Sequence, residues 1–342
     1  MSVTINDVAL RAGVSMKTVS RVINKEPSVR KDTYNKVMAA VKELNYQPNI
    51  AARNLASTKS YAIGFIYSNP NAYYVIDMQN GILAECRERG YELLIHPCSA
   101  DSSDIIQDLT DMVRNSRIAG LVLTPPFSES STVVRALNKM DLQFVRIISG
   151  AKSNSADNNC ILIDDRAAAF SITQHLIELG HTRIGFICGG PEHKSSGERL
   201  EGYLAALREA DIRVSKPLII DGDYSFESGV NGANKLLGRK RKPSAIFASN
   251  DEIAAGALFA ARLMGVDIPN DLSIVGFEDS PFSRQTWPKL TTAHQPNELI
   301  AQRAAALLID KIRGSELSVD RKSRKFCPQL IVRDSTTQIS TD

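Results

Sequence analysis

The sequence lacks most marks of membrane, secreted, metal-bound or catalytic proteins. No apolar run in its 342 residues approaches the roughly 20 residues that a bilayer-spanning helix needs. The N-terminal stretch MSVTINDVALRAGVS has no basic segment followed by an apolar one, so no secretory signal and a cytoplasmic location are expected. The five cysteines, Cys86, Cys98, Cys160, Cys188 and Cys327, form no CxxC pair, and the five histidines show no ligand spacing. A disulfide framework or zinc knuckle is therefore not expected, nor any metal or other cofactor. Catalytic signatures are missing too: no GxSxG, HExxH, Walker A loop, or GxGxxG after a strand. Asp164 and Asp165 are adjacent carboxylates at a strand end, which suits capping of the next helix better than proton sharing. The chain is not expected to be an enzyme.

What is present is ordinary globular composition with an uneven charge. Apolar residues make up 43% and charged residues 23% of the chain, and the length suits two or three domains. Residues 1–60 hold ten Lys/Arg and four acids, a net +6, so the remainder carries −3 of the overall +3. A basic head on a mildly acidic body predicts that the head alone meets a polyanion.

The head has helix punctuation. Thr4 with Asp7 three residues on has capping-box spacing, Ile5, Val8 and Ala9 follow at helical period, and Gly13 ends the helix. Ser15 then caps a second helix. Val19, Val22 and Ile23 face one way, and Met16, Lys17, Ser20, Arg21 and Asn24 the other. Two short helices around a glycine turn predict a helix-turn-helix, the alternative being a helical hairpin with a solvated basic face. In the motif the second helix enters the major groove. Lys17 and Arg21 can then reach guanine, while Ser15, Thr18, Ser20 and Asn24 suit phosphates. A third helix is expected from about Lys31 to Leu44, with Val37, Met38, Val41 and Leu44 as its apolar stripe. Pro48 stops it, and Asn49 can cap the short segment Ile50–Ala56, which is too short to stand alone. Leu55, apolar in a basic linker, suits a wedge between base steps in the minor groove.

From Tyr61 short apolar runs alternate with amphipathic stretches. Strands are predicted at Ala62–Tyr67, Glu92–His96, Gly120–Thr124, Phe144–Ile148, Arg183–Cys188, Leu218–Asp221, Ala245–Ala248 and Ser273–Phe277. Helices are predicted at Val75–Arg89, Ala167–Leu179, Arg199–Ala210, Phe226–Leu237, Glu252–Leu263 and Glu298–Ile312. The alternation predicts parallel sheets covered by helices. The pattern occurs once before about Ile163 and once after, so two α/β lobes with a ligand cleft are expected; a single large doubly wound domain is the alternative. Cleft residues should follow strands: Tyr73 and Tyr74, Thr124, Ser195 with Arg199, Tyr224, Asn250, Glu278 and Asp279. Aromatic faces with carboxylate, amide and guanidinium groups suit a sugar or nucleoside.

The segments VTINDVALRAGVSMKTVSRVIN and VMAAVKELNYQPNIAARNLAS resemble the head of the lactose/galactose-repressor (LacI/GalR) family. Arg199-x-x-Gly202, Ala248-Ser249-Asn250-Asp251 and LSIVGFEDSPFSRQTWPKLTTAHQP resemble its periplasmic-binding-protein-like core. The resemblance implies an all-α helix-turn-helix head (1–48), a hinge helix and linker (49–60) and an α/β two-lobed core (61–342). Lobe 1 would comprise about 61–163 plus 293–322, and lobe 2 about 164–292 plus 323–342. It implies base reading by Met16, Lys17 and Arg21, with Thr4 among the backbone contacts, and a hinge built on Asn49, Ala52 and Leu55. Arg199, Asn250 and the acid after Phe277 would hold effector, with Tyr224 and Tyr73 or Tyr74 as walls. The implied protein is a transcriptional regulator, foremost a repressor, that binds near-palindromic operator DNA as a homodimer in the cytoplasm and nucleoid. Its effector would be sugar-like, or a purine or nucleoside acting as co-repressor. A solute-binding transport protein would lack the basic head. Two departures stand out: Arg30 replaces a small helix-three cap, and Glu278 stands where the family usually has Asp.

Overall fold

The computed structural model describes residues 3–23, 29–46, 60–69, 71–99, 104–150, 159–320 and 322–339. Two compact units divide at Tyr61/Ala62.

The first unit is helical: α1 (Ile5–Ala12), α2 (Met16–Ile23) and α3 (Lys31–Glu43). The Asp7 carboxylate accepts from the Thr4 backbone N–H at 2.8 Å and from its hydroxyl at 2.7 Å, fixing the start of α1. Gly13 ends it at φ 66°, in the left-handed region that glycine enters without a Cβ clash. Val8, Ala9, Val19, Val22, Val37 and Ala40 form the small core. Met38, expected on the apolar stripe of α3, is exposed, and Ala40, three residues after Val37, takes the inward position. Arg30 precedes α3 without a side-chain cap, as its long side chain dictates.

The second unit holds two parallel sheets. The first contains β1 (Ala62–Tyr67), β2 (Glu92–Pro97), β3 (Gly120–Leu123), β4 (Gln143–Ser149), β5 (Cys160–Ile163) and β11 (Lys325–Phe326). They lie in the order β11-β5-β4-β3-β1-β2. Its helices are α4 (Ala72–Arg89), α5 (Ile105–Ser116), α6 (Ser131–Lys139) and α12 (Asn297–Arg313). The second sheet has the order β7-β6-β8-β9, from β6 (Ile184–Ile187), β7 (Ile219–Ile220), β8 (Ala245–Ala248) and β9 (Ser273–Val275). One of its faces packs α7 (Asp165–Glu178) and α8 (Lys194–Glu209), around Phe186, Tyr203 and Phe247. The other packs α9 (Phe226–Leu237) and α10 (Asp251–Leu263), around Ile246, Leu236 and Ala257. The helix α11 (Pro281–Gln285) follows β9. β3, β6 and β8 are buried end to end, which is why they read as unbroken apolar runs.

Among the described residues the chain crosses between lobes three times, and two short strands fall on the other side of the approximate bounds expected. β10 (Thr292–His294) pairs antiparallel with β12 (Gln329–Ile331), and bridges join Val275 to Thr291 and Glu278 to His294. Residues 292–294 therefore lie with the second sheet, and the expected boundary passed at about 293. β11 pairs with β5, so 325–326 belong with the first sheet and not with the second lobe. Backbone pairing decides the matter: these two- and three-residue strands carry too little periodicity to betray their partner. Helices α5 and α6 were not anticipated. No helix among the described residues is long and apolar enough to cross a membrane.

Candidate functional site

In the head, Ser15, Met16, Lys17 and Arg21 are exposed, and Thr18 and Ser20 half-buried. Val19 and Val22 anchor the opposite face of α2 in the core, so the expected base-reading residues share an outward helix face. The Ser15 hydroxyl accepts from the Thr18 N–H at 3.2 Å and lies 2.9 Å from the Thr18 hydroxyl. Thr4 is likewise engaged with Asp7; phosphate contacts by these residues would add to capping duties. Asn24, Asn49, Ala52 and Leu55 lie outside the described residues.

In the second unit a cavity of about 40 Å³ is lined from both lobes, by Asn69, Asn71, Tyr74, Pro125 and Ser149 on one side and His193, Ser195, Arg199, Tyr224 and Glu278 on the other. That is room for little more than a water molecule. Asp165, Asn250 and Gln295 complete the polar lining.

Arg199 is its centre. The side chain is 4% exposed, carried on the first turns of α8, and its guanidinium lies 3.8 Å from the Phe277 ring centroid. Its Nε donates to Asp165 Oδ1 at 2.8 Å and its Nη1 to the Ser249 carbonyl at 2.6 Å, with Glu278 Oε1 3.6 Å away. Burial alone would favour losing the guanidinium proton, but the flanking Asp165 and Glu278 carboxylates hold it firmly. The Arg199-x-x-Gly202 motif now has a reason. A Cβ on Gly202 would sit 2.3 Å from the Arg166 carbonyl oxygen and 2.8 Å from the Ala169 methyl, so glycine lets α8 press on α7 and brings Arg199 to Asp165.

Glu278 spans the cleft. Its Oε2 accepts from Asn71 Nδ2 at 2.8 Å, while Asn71 Oδ1 caps α4 by accepting from the Tyr73 and Tyr74 N–H groups. Burial pushes the Glu278 carboxyl up to about 7, with Arg199 opposing and Asp165 reinforcing. Asp165 extends the chain of contacts, because the Ser149 hydroxyl donates to its Oδ2 at 2.5 Å. Glu129 adds a further interlobe link, accepting from the Ser149 N–H at 2.9 Å and from the Lys194 N–H at the start of α8 at 3.2 Å.

The Tyr224 ring lies over Gly189, where a Cβ would fall 2.2 Å from it. Its hydroxyl is 3.1 Å from the Ser195 hydroxyl, and His193 meets it edge-on. Tyr224, Glu278 and Asp279 hold φ of 69°, 99° and 58°, left-handed conformations that bulky residues rarely adopt and that cluster at functional sites. Gln295 is 4% exposed and lines the cavity, its amide oxygen without a partner among the described residues.

Among the expected effector residues, Tyr74, Arg199, Tyr224, Asn250 and Glu278 line the cavity. Asn250 is largely committed elsewhere, capping α10 through Ile253 N and donating to the Tyr224 carbonyl. Three of the expected residues do not line the cavity. Asp279 is held away by Arg333, His294 and Ser283; burial would raise its carboxyl, but Ser283 and Arg333 keep it below the usual range. Adjacent residues diverge, so Glu278 enters the cleft and Asp279 does not. Thr124 is fully buried with its hydroxyl donating to the Ile66 carbonyl, and Pro125 lines the cavity instead. Tyr73 meets Phe282 edge-on, ring centroids 5.6 Å apart, and is not among the lining residues. Asp165, which its place beside Asp164 suits to capping, lines the cavity instead. Asp164 is the cap, accepting from Ala167 N, which frees Asp165. Asn71, Ser149, His193 and Gln295 also line the cavity, each in a loop or at an element end with no local signal.

Family models match at both ends of this architecture: bacterial regulatory proteins of the lacI family at residues 4–49 and the periplasmic binding protein-like domain at 173–336. The HTH-type transcriptional repressor PurR of Actinobacillus pleuropneumoniae serotype 3 is 34% identical, over 98% of this chain and 99% of its own length. PurR of Photobacterium profundum is 32% identical over the same shares. Among solved structures, the Lac repressor dimer bound to operator and the anti-inducer ONPF is 27% identical, with a TM-score of 0.73, covering 98% of this chain and 100% of that one. The complex of the transcriptional regulator CelR with cellobiose is 28% identical, with a TM-score of 0.72, covering 97% and 99%. The chain therefore belongs to the lacI family of bacterial regulatory proteins: it is a DNA-binding transcriptional regulator with an effector-binding domain, not an enzyme.

Proposed function

We propose that the protein is a repressor that binds a near-palindromic operator as a dimer and is switched by a sugar-like effector in the interlobe cleft. Met16, Lys17 and Arg21 read bases, and residues 49–60, with Asn49, Ala52 and Leu55, act as the hinge at the minor groove. The observation that carries the effector reading is the Asp165–Arg199–Glu278 cluster lining the same cavity as Gln295, whose amide oxygen has no partner among the described residues. Carboxylates and a carbonyl accept, the guanidinium donates, and a sugar hydroxyl does both. Asn71 and Ser149 now occupy the carboxylates; a polyol that replaces these amide and hydroxyl donors shifts the lobes relative to one another. Linkage then couples cleft to operator, because an effector that prefers one lobe arrangement changes DNA affinity, and DNA changes effector affinity by the same factor.

A purine or nucleoside co-repressor is the second reading. It is favoured by the rings of Tyr74 and Tyr224 in the same cavity and by the likeness to PurR repressors. The two separate in one experiment: thermal shift of the full-length protein against mono- and disaccharides and against purine bases and nucleosides, followed by operator binding with each hit. A sugar that raises the melting temperature and releases operator supports the first reading. A purine that raises it and tightens operator binding replaces it with the second.

A further inference from the structure

Away from the cleft, at the edge of the first sheet, two side chains converge on one oxygen atom of a third. β2 ends at Pro97, and its edge position leaves His96 half-buried. Residues two apart on a strand share a face, so Leu94, His96 and Cys98 point the same way. Leu94 and Cys98 pack against the same buried cluster as Ile105 and Ile106 of α5, a cluster that includes Leu109 of that helix, which sets that face toward the helix. Asp108, on the first turn of α5, meets them there. His96 Nε2 lies 3.1 Å and Cys98 Sγ 3.6 Å from the same Asp108 Oδ2, and the three ligand atoms all fall within 4.8 Å of one another. The arms are fixed from below: His96 is in register with Ile66 on β1, and Cys98 N donates to the Tyr67 carbonyl at 3.0 Å.

We infer that His96, Cys98 and Asp108 form a binding site for a borderline-soft divalent cation, zinc by ligand chemistry, that ties the end of β2 to the first turn of α5. With zinc bonds of about 2.0 Å to N and O and about 2.3 Å to S, a tetrahedron has edges of about 3.3 Å for N···O and about 3.5 Å for S···O. The observed separations already match them. Thiolate and imidazole disfavour magnesium and calcium, which demand oxygen shells. Three protein ligands leave a fourth position for water. Without a cation, burial and the adjacent Asp108 charge push the Cys98 thiol up to about 12. A divalent ion at the convergence point inverts that field, and binding releases the thiol proton to solvent.

The same three atoms could be held by shared protons alone, and cobalt separates the two arrangements. Co²⁺ titrated into the full-length protein is expected to give a thiolate-to-cobalt charge-transfer band in the near ultraviolet and intense tetrahedral bands in the visible. Both should saturate at one ion per chain and bleach with Zn²⁺. Cys98→Ser should abolish the near-ultraviolet band, and Asp108→Asn should weaken cobalt binding at least about tenfold. Cys327→Ser, removing an exposed thiol elsewhere, should change neither. No thiolate band at about tenfold excess cobalt, or a band that survives Cys98→Ser, overturns the site. Should Cys98→Ser fail to fold, Asp108→Asn, altering an exposed side chain, carries the same test: unchanged cobalt affinity overturns the site.

Discussion

Replacing Glu278 by the aspartate usual in the family tests whether its length is what joins the lobes. The Glu278 carboxylate accepts from Asn71 Nδ2 at 2.8 Å. Shortening the side chain by one methylene draws the oxygen back by about 1.5 Å, beyond hydrogen-bond range. A hydrogen bond to a charged group contributes about 1.5–3 kcal/mol, which is roughly 10- to 150-fold in the balance between closed and open lobes. The assay is a double-mutant cycle in urea at about pH 8.5, where Glu278 is ionised, using Glu278→Asp, Asn71→Ser and the pair. Serine keeps an oxygen to cap α4 while removing the amide donor, so the cap does not confound the cycle. Aspartate tolerates the left-handed backbone at 278 better than glutamate does, and the cycle cancels that gain too. A coupling energy of about 1.5–3 kcal/mol is expected. Simple additivity, with coupling below about 0.5 kcal/mol, would refute the clasp.

Other perturbations probe the remaining contacts. Arg199→Met should cost about 3–5 kcal/mol, because it strands two buried carboxylates, and should abolish effector response; Asp165→Asn in the same chain should recover stability but not response, measured by urea unfolding and operator release. Gly202→Ala should destabilise the core by at least about 1–3 kcal/mol by forcing α7 and α8 apart, read as a lowered unfolding midpoint. Arg21→Ala should lose about 1–3 kcal/mol on operator and relax base preference; equal loss on random DNA would contradict base reading. Stability should also depend on pH through Glu278. Its folded value is raised from 4.5 to about 7, so its contribution is full below pH 4.5 and is lost as pH rises through about 7. Asp251, pushed up by burial to about 8, has the same sign, so the difference curve between wild type and Glu278→Gln isolates Glu278; a flat difference curve would contradict the shift.

The sequence was most legible where information is local. Thr4, Asp7 and Gly13 act within one helix, and the capping box and left-handed turn are where their spacing put them. β1 and β8 fall on the expected residues, because a parallel strand buried along most or all of its length shows as an apolar run. Arg199 was found through its motif. Its partner Asp165 lies 34 positions away, and nothing in a neighbouring-residue pattern distinguishes it from Asp164, the helix cap. The Glu278–Asn71 contact joins residues 207 apart, and choosing between Glu278 and Asp279 required the backbone torsion that turns one into the cleft. His96 and Cys98 have neither helical nor knuckle ligand spacing; alternation along a strand puts them on one face, and Asp108 comes from a separate helix.

The threading of the chain through both lobes bears on how the gene can be cut. Neither lobe is a continuous stretch of sequence, and the final residues serve both. β11 closes an edge of the first sheet, and β12 pairs with β10 beside the second. Beyond them, Ser335 bonds Ile274 and Thr291, the Thr337 carbonyl lies 3.2 Å from His181 Nε2, and Ile339 donates to the Leu179 carbonyl. A stop codon near position 320 would therefore strip structure from both lobes at once, and the effector domain would be lost as a whole rather than trimmed. The same threading forbids expressing either lobe as a simple fragment, whereas the head forms a compact unit of its own before Ala62.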